Sequence, residues 1–179
     1  MKQIRLISGF FTVGVWTLVS RVLGFVRDVL IAGALGTGPV AEAFVMAFSL
    51  PNLFRRFFAE GAFNMAFVPL FSKKVEAGED ARGFAQDAFS VLATVLIILN
   101  GIAMIAMPFL VLAMASGFWG DTRFDLAVIY GRITFPYILF ISLVALLSGV
   151  LNSIGRFQAA AAAPVLLNVL FIAALQLAT

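Results

Sequence analysis

Five arginines and two carboxylates lie inside otherwise apolar stretches of this chain. They are Arg21, Arg27, Arg55, Arg56 and Arg132 against Asp28 and Glu60. Charged side chains at membrane depth are costly and face a cavity or a partner. The excess of positive charge in a low-dielectric setting calls for an anion. Arginine donates in a planar fork that suits phosphate or carboxylate, so a lipid phosphate, a pyrophosphate or a carboxylate is the natural ligand.

Spacing groups these residues into two sets. The first is Ser20-Arg21-Val22-Leu23-Gly24-Phe25-Val26-Arg27-Asp28. At about 100° per residue, Thr17, Ser20, Gly24, Arg27 and Asp28 fall within roughly 120° on one side of Arg21. Val15, Leu18, Val19, Val22, Leu23, Phe25, Val26, Val29 and Leu30 cover the other face. This reads either as one wall of a basic cavity or as an Arg27–Asp28 pair with Arg21 reaching to headgroups. Arg21 lies near the middle of its span, where such reach is poor, which favours the cavity wall. The second set follows Pro51. Asn52, Arg56, Glu60 and Asn64 recur every four residues as one polar stripe, with Arg55 roughly 100° from Arg56. The bland alternative there is an Arg56–Glu60 pair at the interface. Glu42 reads as an interfacial residue, and Arg132 as either a cavity residue or a headgroup contact.

The same inventory argues against catalysis. The chain has no histidine and no cysteine. This removes the commonest general base, thiolate nucleophiles and most metal ligand sets. Asp28 and Glu60 have arginines in reach, which keeps them ionised and weakly basic. No Gly-rich phosphate loop and no metal-ligand cluster is present, so neither cofactor nor metal is expected, and binding and movement of an anion remain. The net charge of +3 is scattered over loops and spans rather than gathered in a stripe, so no nucleic-acid partner is expected.

Elements that could hold such residues follow from composition. The chain is 63% hydrophobic with a mean hydropathy of +1.08, well above the usual half for soluble domains. It reads as an all-α, polytopic membrane helix bundle. Five spans are expected, at roughly 7–35, 40–71, 88–116, 126–151 and 159–179. Pro39 suits a helix start. The long second span should break near Pro51, where the Ala47 carbonyl loses its helical partner. Pro108 falls near the end of the third span, and the polar stretch 73–87 reads as the one hydrated loop. The run Ala159 to Ala163 offers a small-residue surface for close helix packing. The apolar run after Lys2 and Arg5 is too long for a signal-peptide core and reads as a retained first helix. Lys2, Arg5, Lys73, Lys74, Arg82 and Arg156 fall on one side of the five spans, and only Arg123 on the other. By the positive-inside rule the N-terminus is cytoplasmic.

The ordered motifs resemble a known family. Ser20-Arg21-Val22-Leu23-Gly24-Phe25 with Arg27-Asp28 is similar to the MurJ/MviN lipid II flippases. So are Leu50-Pro51-Asn52 through Arg55-Arg56 to Phe58-Ala59-Glu60-Gly61-Ala62-Phe63, then Phe67-Val68-Pro69, and Arg132-Ile133-Thr134-Phe135-Pro136-Tyr137-Ile138-Leu139. That family belongs to the multidrug/oligosaccharidyl-lipid/polysaccharide exporter superfamily. The resemblance implies a core of about fourteen helices in two lobes around a cationic cavity. It also implies movement of lipid II, the undecaprenyl-diphosphate-linked peptidoglycan precursor, across the bacterial inner membrane by alternating access. Ser20, Arg21, Arg27 and Arg55 would bind the diphosphate-sugar head, and Asp28, Asn52, Arg56, Glu60 and Arg132 would stand at the cavity or gate. Glu42 stands where the family often has aspartate. Five spans would form most of the first lobe, an N-terminal part whose partners are lipid II, membrane lipids and the missing C-terminal lobe of the same protein. The alternatives are a flippase for another polyprenyl-diphosphate-linked oligosaccharide or a polytopic polyprenyl-phosphate enzyme. The enzyme would need acids outside the membrane, where the outer links offer only Asp121 and Asp125.

Overall fold

Prolines and glycines set where the helices begin and end. The computed structural model describes residues 2–56 and 62–178, and the side chains at 2–10, 12, 62–64 and 178 lie outside that description as well. Every regular element among the described residues is helical: α1 (Lys2–Leu35), α2 (Pro39–Arg55), α3 (Ala62–Ala77), α4 (Ala81–Ile105), α5 (Met107–Met114), α6 (Thr122–Thr134), α7 (Tyr137–Ser153) and α8 (Phe157–Ala178). A short 3-10 turn, Ser116–Phe118, precedes α6. Three continuous or near-continuous helical stretches among the described residues are long and apolar enough to cross a membrane: Ala81–Met114, Thr122–Ser153 and Phe157–Leu177. They overlap the third, fourth and fifth expected spans, with different bounds. The chain is an all-α membrane helix bundle.

Two compact units divide it, Met1–Gly36 with Leu147–Thr179, and Thr37–Leu146. In the first unit, α1 packs along α8. At 1.5 Å per residue, its 34 residues run about 50 Å, longer than the roughly 30 Å of a hydrocarbon core. Val15, Leu18, Val22, Phe25 and Val29 are exposed, as expected of an apolar back turned to lipid. Ala160 to Ala163 on α8 are half-buried.

In the second unit α2 and α6 form the main seam. Ala43 and Ala47 on α2, and Ala127 and Gly131 on α6, are buried at four-residue spacing. Small residues in that pattern let helix backbones approach closely. Gly131 also backs onto α5: a Cβ there would sit 2.6 Å from Met107 Sδ. Phe54 and Phe135 close the end of this seam edge-to-face, 5.4 Å between ring centres.

Several expected boundaries move. Helix α2 continues through Pro51, which is buried, to Arg55, so no interruption falls at the proline itself. The freed Ala47 carbonyl has the Thr134 hydroxyl 3.4 Å away. That hydroxyl has one proton and a closer acceptor in the Tyr130 carbonyl at 2.9 Å. Toward the end of the third span, Ala106 interrupts the helix and Pro108 lies in the first turn of α5, where its missing N–H removes no bond within α5 itself. The polar stretch 73–87 is mostly helix, with a turn of three residues. Gly78 ends α3 with φ 68°, and the N–H groups of Gly78 and Glu79 return to the Val75 and Lys74 carbonyls, the pattern of a left-handed helix stop. Asp80 then caps α4 by accepting from the Gly83 N–H at 2.8 Å. Polarity there marks hydrated helix ends, not irregular backbone.

Candidate functional site

The first expected set is assembled on α1 against α8. Ser20, Gly24 and Arg27 share one edge of the helix, and Asn168 of α8 fits among them. Arg27 Nη1 donates to Asn168 Oδ1 at 2.9 Å. The Asn168 amide donates to the Ser20 carbonyl at 3.0 Å and to Ser20 Oγ at 3.3 Å. Gly24 supplies the space, since a Cβ there would meet the Asn168 amide at 3.7 Å. Asn168 is 6% exposed, and all three of its hydrogen-bonding directions toward α1 are used.

Arg27 also folds back on Asp28. Its Nε and Nη2 reach Asp28 Oδ1 at 3.0 and 2.8 Å, and its guanidinium lies 5.7 Å from the centre of the Phe171 ring. A guanidinium carries five N–H groups, so three are spent and two remain. The Arg27 side chain is 21% exposed and that of Asp28 64%. The expected Arg27–Asp28 pair is therefore present, with a third partner from α8. Arg21 and Thr17 stay exposed, and Arg21 has no hydrogen-bond or ion-pair partner among the described residues. The polar stripe is thus split: one edge packs on α8 and the other stays open.

The second expected set lies in the other unit. Asn52 is half-buried and its amide donates to the Phe48 carbonyl of its own helix at 3.0 Å. Arg55 is half-buried and Arg56 exposed. Glu60 lies outside the described residues, as does the Asn64 side chain, so the stripe is followed only to Arg56. Arg132 on α6 is exposed, and its Nε donates to the Met104 carbonyl at 3.1 Å.

Glu42 is joined to a residue the sequence placed on the same side of the membrane. Arg123 Nη1 reaches Glu42 Oε2 at 2.7 Å, and its Nη2 reaches Asp121 Oδ2 at 2.6 Å. The Phe118 ring lies under the guanidinium at 4.7 Å. Asp121 is the N-cap of α6. Its carboxyl is held below its ordinary value, first by the Arg123 backbone N–H and then by the Arg123 side chain. Glu42 thus closes a clamp between the start of α2 and the start of α6.

Sequence reasoning missed Asn168, Phe171 and Met104. A lone asparagine in the apolar run Val165 to Leu175 was the only signal for the first. Pro108 was the signal for the third, because it leaves the carbonyl four residues earlier without a helical partner. The described residues hold no cluster of His, Cys, Asp or Glu suited to a metal. Each arginine set, within its own unit, carries N–H donors whose chemistry suits an anion.

Comparison with known proteins gives a consistent result. The family described as Lipid II flippase MurJ matches residues 31–179. A probable lipid II flippase MurJ of Rhizobium tropici is 51% identical, over 95% of this chain and 33% of the relative. One from Rhizobium meliloti (strain 1021) is 53% identical over 95% and 32%. The lipid II flippase MurJ of Burkholderia cenocepacia is 49% identical over 95% and 34%. The chain spans about a third of the length of these curated relatives. No solved structure matches it.

Proposed function

The chain belongs to the lipid II flippase MurJ family, and on that premise we propose that it forms part of a transporter for a lipid-linked peptidoglycan precursor. The precursor passes from the cytoplasmic to the outer leaflet of the inner membrane by alternating access. Ser20, Arg21, Arg27 and Arg55 bind its diphosphate-sugar head, with Asp28, Asn52, Arg56 and Glu60 at the cavity or gate. The chain crosses the membrane five times with its N-terminus in the cytoplasm. No bond is made or broken, so the protein is a transporter and not an enzyme.

One observation carries this reading. Arg27 is fixed within an apolar helix by Asp28 and Asn168 with two N–H groups unspent. A positioned fork of that kind suits a diphosphate. The reading is tested with Arg21→Ala and Arg27→Ala in the full-length protein, measuring precursor reaching the outer leaflet. Export is expected to fail in each while the protein is still inserted. Normal export with both changes present would overturn it. A flippase for a different polyprenyl-diphosphate sugar is the second reading, since the arginine forks recognise the diphosphate and not the sugar; exchange of the sugar in the same assay separates the two.

A further inference from the structure

Arg132, which the resemblance places at the cavity or gate, has a built setting of its own, apart from the residues proposed above for the diphosphate-sugar head. Helix α4 stops at Ile105 and α5 resumes at Met107 with Pro108 in its first turn. Pro108 has no N–H, so the Met104 carbonyl, four residues earlier, loses its helical donor. A bare carbonyl inside an apolar span is costly. Arg132 Nε supplies the replacement at 3.1 Å. Gly131, beside it, brings α6 against Met107 closely enough for this reach.

The tether uses one donor of five. The four N–H groups on Nη1 and Nη2 have no acceptor among the described residues, and the side chain is exposed. Its surroundings are apolar: Ile105 is 82% exposed, and Ile129 and Ile133 are exposed on the same stretch of α6. The stretch Thr122–Ser153 has 32 residues, about 48 Å at 1.5 Å per residue, so its ends project beyond a hydrocarbon core about 30 Å thick, and Arg132, ten residues in, lies roughly 6 Å inside the nearer edge of that core. Helical side chains tilt toward the N-terminus of their helix, so the fork leans toward the nearer headgroup layer. A charged, undersatisfied fork on an apolar surface at that depth needs an anion that is itself carried in lipid.

We propose that Arg132 is a binding site for the phosphate of a membrane lipid, with the guanidinium pinned at Nε by the carbonyl that Pro108 sets free. The pin fixes the plane of the fork, and the Nη1/Nη2 edge takes two phosphate oxygens. This goes beyond the flippase reading and does not depend on it, because an ordinary phospholipid and a polyprenyl phosphate offer the same oxygens.

The test uses the full-length protein in detergent, with retained lipid counted by native mass spectrometry. The probes are phosphatidylglycerol, diacylglycerol with the same tails, undecaprenyl phosphate, and inorganic phosphate as a competitor. Wild type is expected to retain phosphatidylglycerol and not diacylglycerol. Arg132→Gln should weaken that retention about tenfold or more, the loss of a charge-assisted pair of bonds. Arg132→Lys keeps the charge without the fork and should fall between the two, which also covers the case in which Arg132→Gln fails to fold. Pro108→Ala returns a donor to Met104, releases the pin and should weaken retention. Dependence on Arg132 for undecaprenyl phosphate alone assigns the site to the polyprenyl lipid, and full competition by inorganic phosphate assigns it to the phosphate group without the tails. Wild-type retention by both Arg132→Lys and Arg132→Gln would overturn the proposal.

Discussion

Arg27 Nη1 and Asn168 Oδ1 lie 2.9 Å apart although 141 residues separate them in sequence. The bond joins the charge-bearing helix α1 to α8 at a point where neither side chain is open to solvent on all sides. Asn168 answers with two donors to Ser20. One amide therefore fixes both the arginine and the serine that the sequence grouped on one face. In lipid, where apolar contact between helices brings little gain over contact with acyl chains, such bonds and close packing hold helices together.

Asn168→Leu should loosen this seam. It keeps the volume and removes one acceptor and two donors, leaving an arginine N–H without a partner. A loss of about 1–3 kcal/mol is expected, read as a lower unfolding midpoint of the full-length protein in detergent. An unchanged midpoint would show that the amide is not what joins α1 to α8.

Gly131→Ala tests the other unit. The new methyl would stand 2.6 Å from Met107 Sδ and 3.2 Å from its Cγ, and Met107 is fully buried. Overpacking of this kind costs about 1–3 kcal/mol. Met107→Ala in the same protein should recover part of that loss. Additive effects in the double mutant would mean that the two side chains do not meet.

How much of this could be read from the chain depends on what each residue type reports. The helical wheel groups Ser20, Gly24 and Arg27, which the structure also sets along one edge, because periodicity encodes which residues share a face. It could not say that α8 covers the Ser20–Gly24–Arg27 edge and leaves Arg21 open, since periodicity is silent on partners. Asn168 was invisible as a site residue for the same reason: one polar residue in an apolar run has no period. Prolines report the loss of a donor, and the helix boundaries fall near them rather than on them: α2 ends at Arg55, four residues past Pro51, and Ala106 interrupts the helix two residues before Pro108. The helix runs through Pro51 and restarts at Pro108, because the first turn of a helix tolerates proline and the interior tolerates it where packing holds the backbone. The stretch 73–87 was polar because it is hydrated, which does not forbid helix. Arg132 drew attention as a charge, but its partner is a backbone carbonyl, whose sign in the sequence is Pro108 four residues later and not a pattern of side chains around Arg132.

Acid should weaken the clamp between α2 and α6. The Asp121 carboxyl is held below its ordinary value of 3.8, chiefly by the Arg123 backbone N–H. A depressed carboxyl contributes stability that is fully present above its unfolded value and is lost as pH falls through its folded value. The loss therefore begins near pH 3.8 and completes below it. Unfolding midpoints followed from pH 6 down to pH 2.5 should fall more steeply in wild type than in Asp121→Asn. Parallel curves would remove Asp121 from the acid response.

The isolated chain should not move lipid II. It spans about a third of each curated relative, and the cavity proposed above has only the walls these helices supply. Reconstituted alone in liposomes and supplied with fluorescent lipid II, it is expected to give the rate of empty vesicles. Robust flipping would show that one third of such a protein is sufficient.

Arg21 and Arg27 should separate folding from transport. Arg27 holds Asp28 and Asn168, so Arg27→Ala removes structural bonds and should lower stability by about 1–3 kcal/mol as well as stopping export. Arg21 is exposed and lacks a hydrogen-bond or ion-pair partner among the described residues. Its removal breaks no contact of that kind, and exposed substitutions without such contacts change stability by only about 0.5 kcal/mol. Arg21→Ala is therefore expected to keep the wild-type unfolding midpoint and still abolish precursor export. Arg21→Lys should restore part of the transport, because the charge returns without the bidentate fork. If Arg21→Ala exports normally, the open edge of α1 does not face the precursor. If it unfolds the protein instead, Arg21 has a structural partner and its part in binding must be argued anew from that contact.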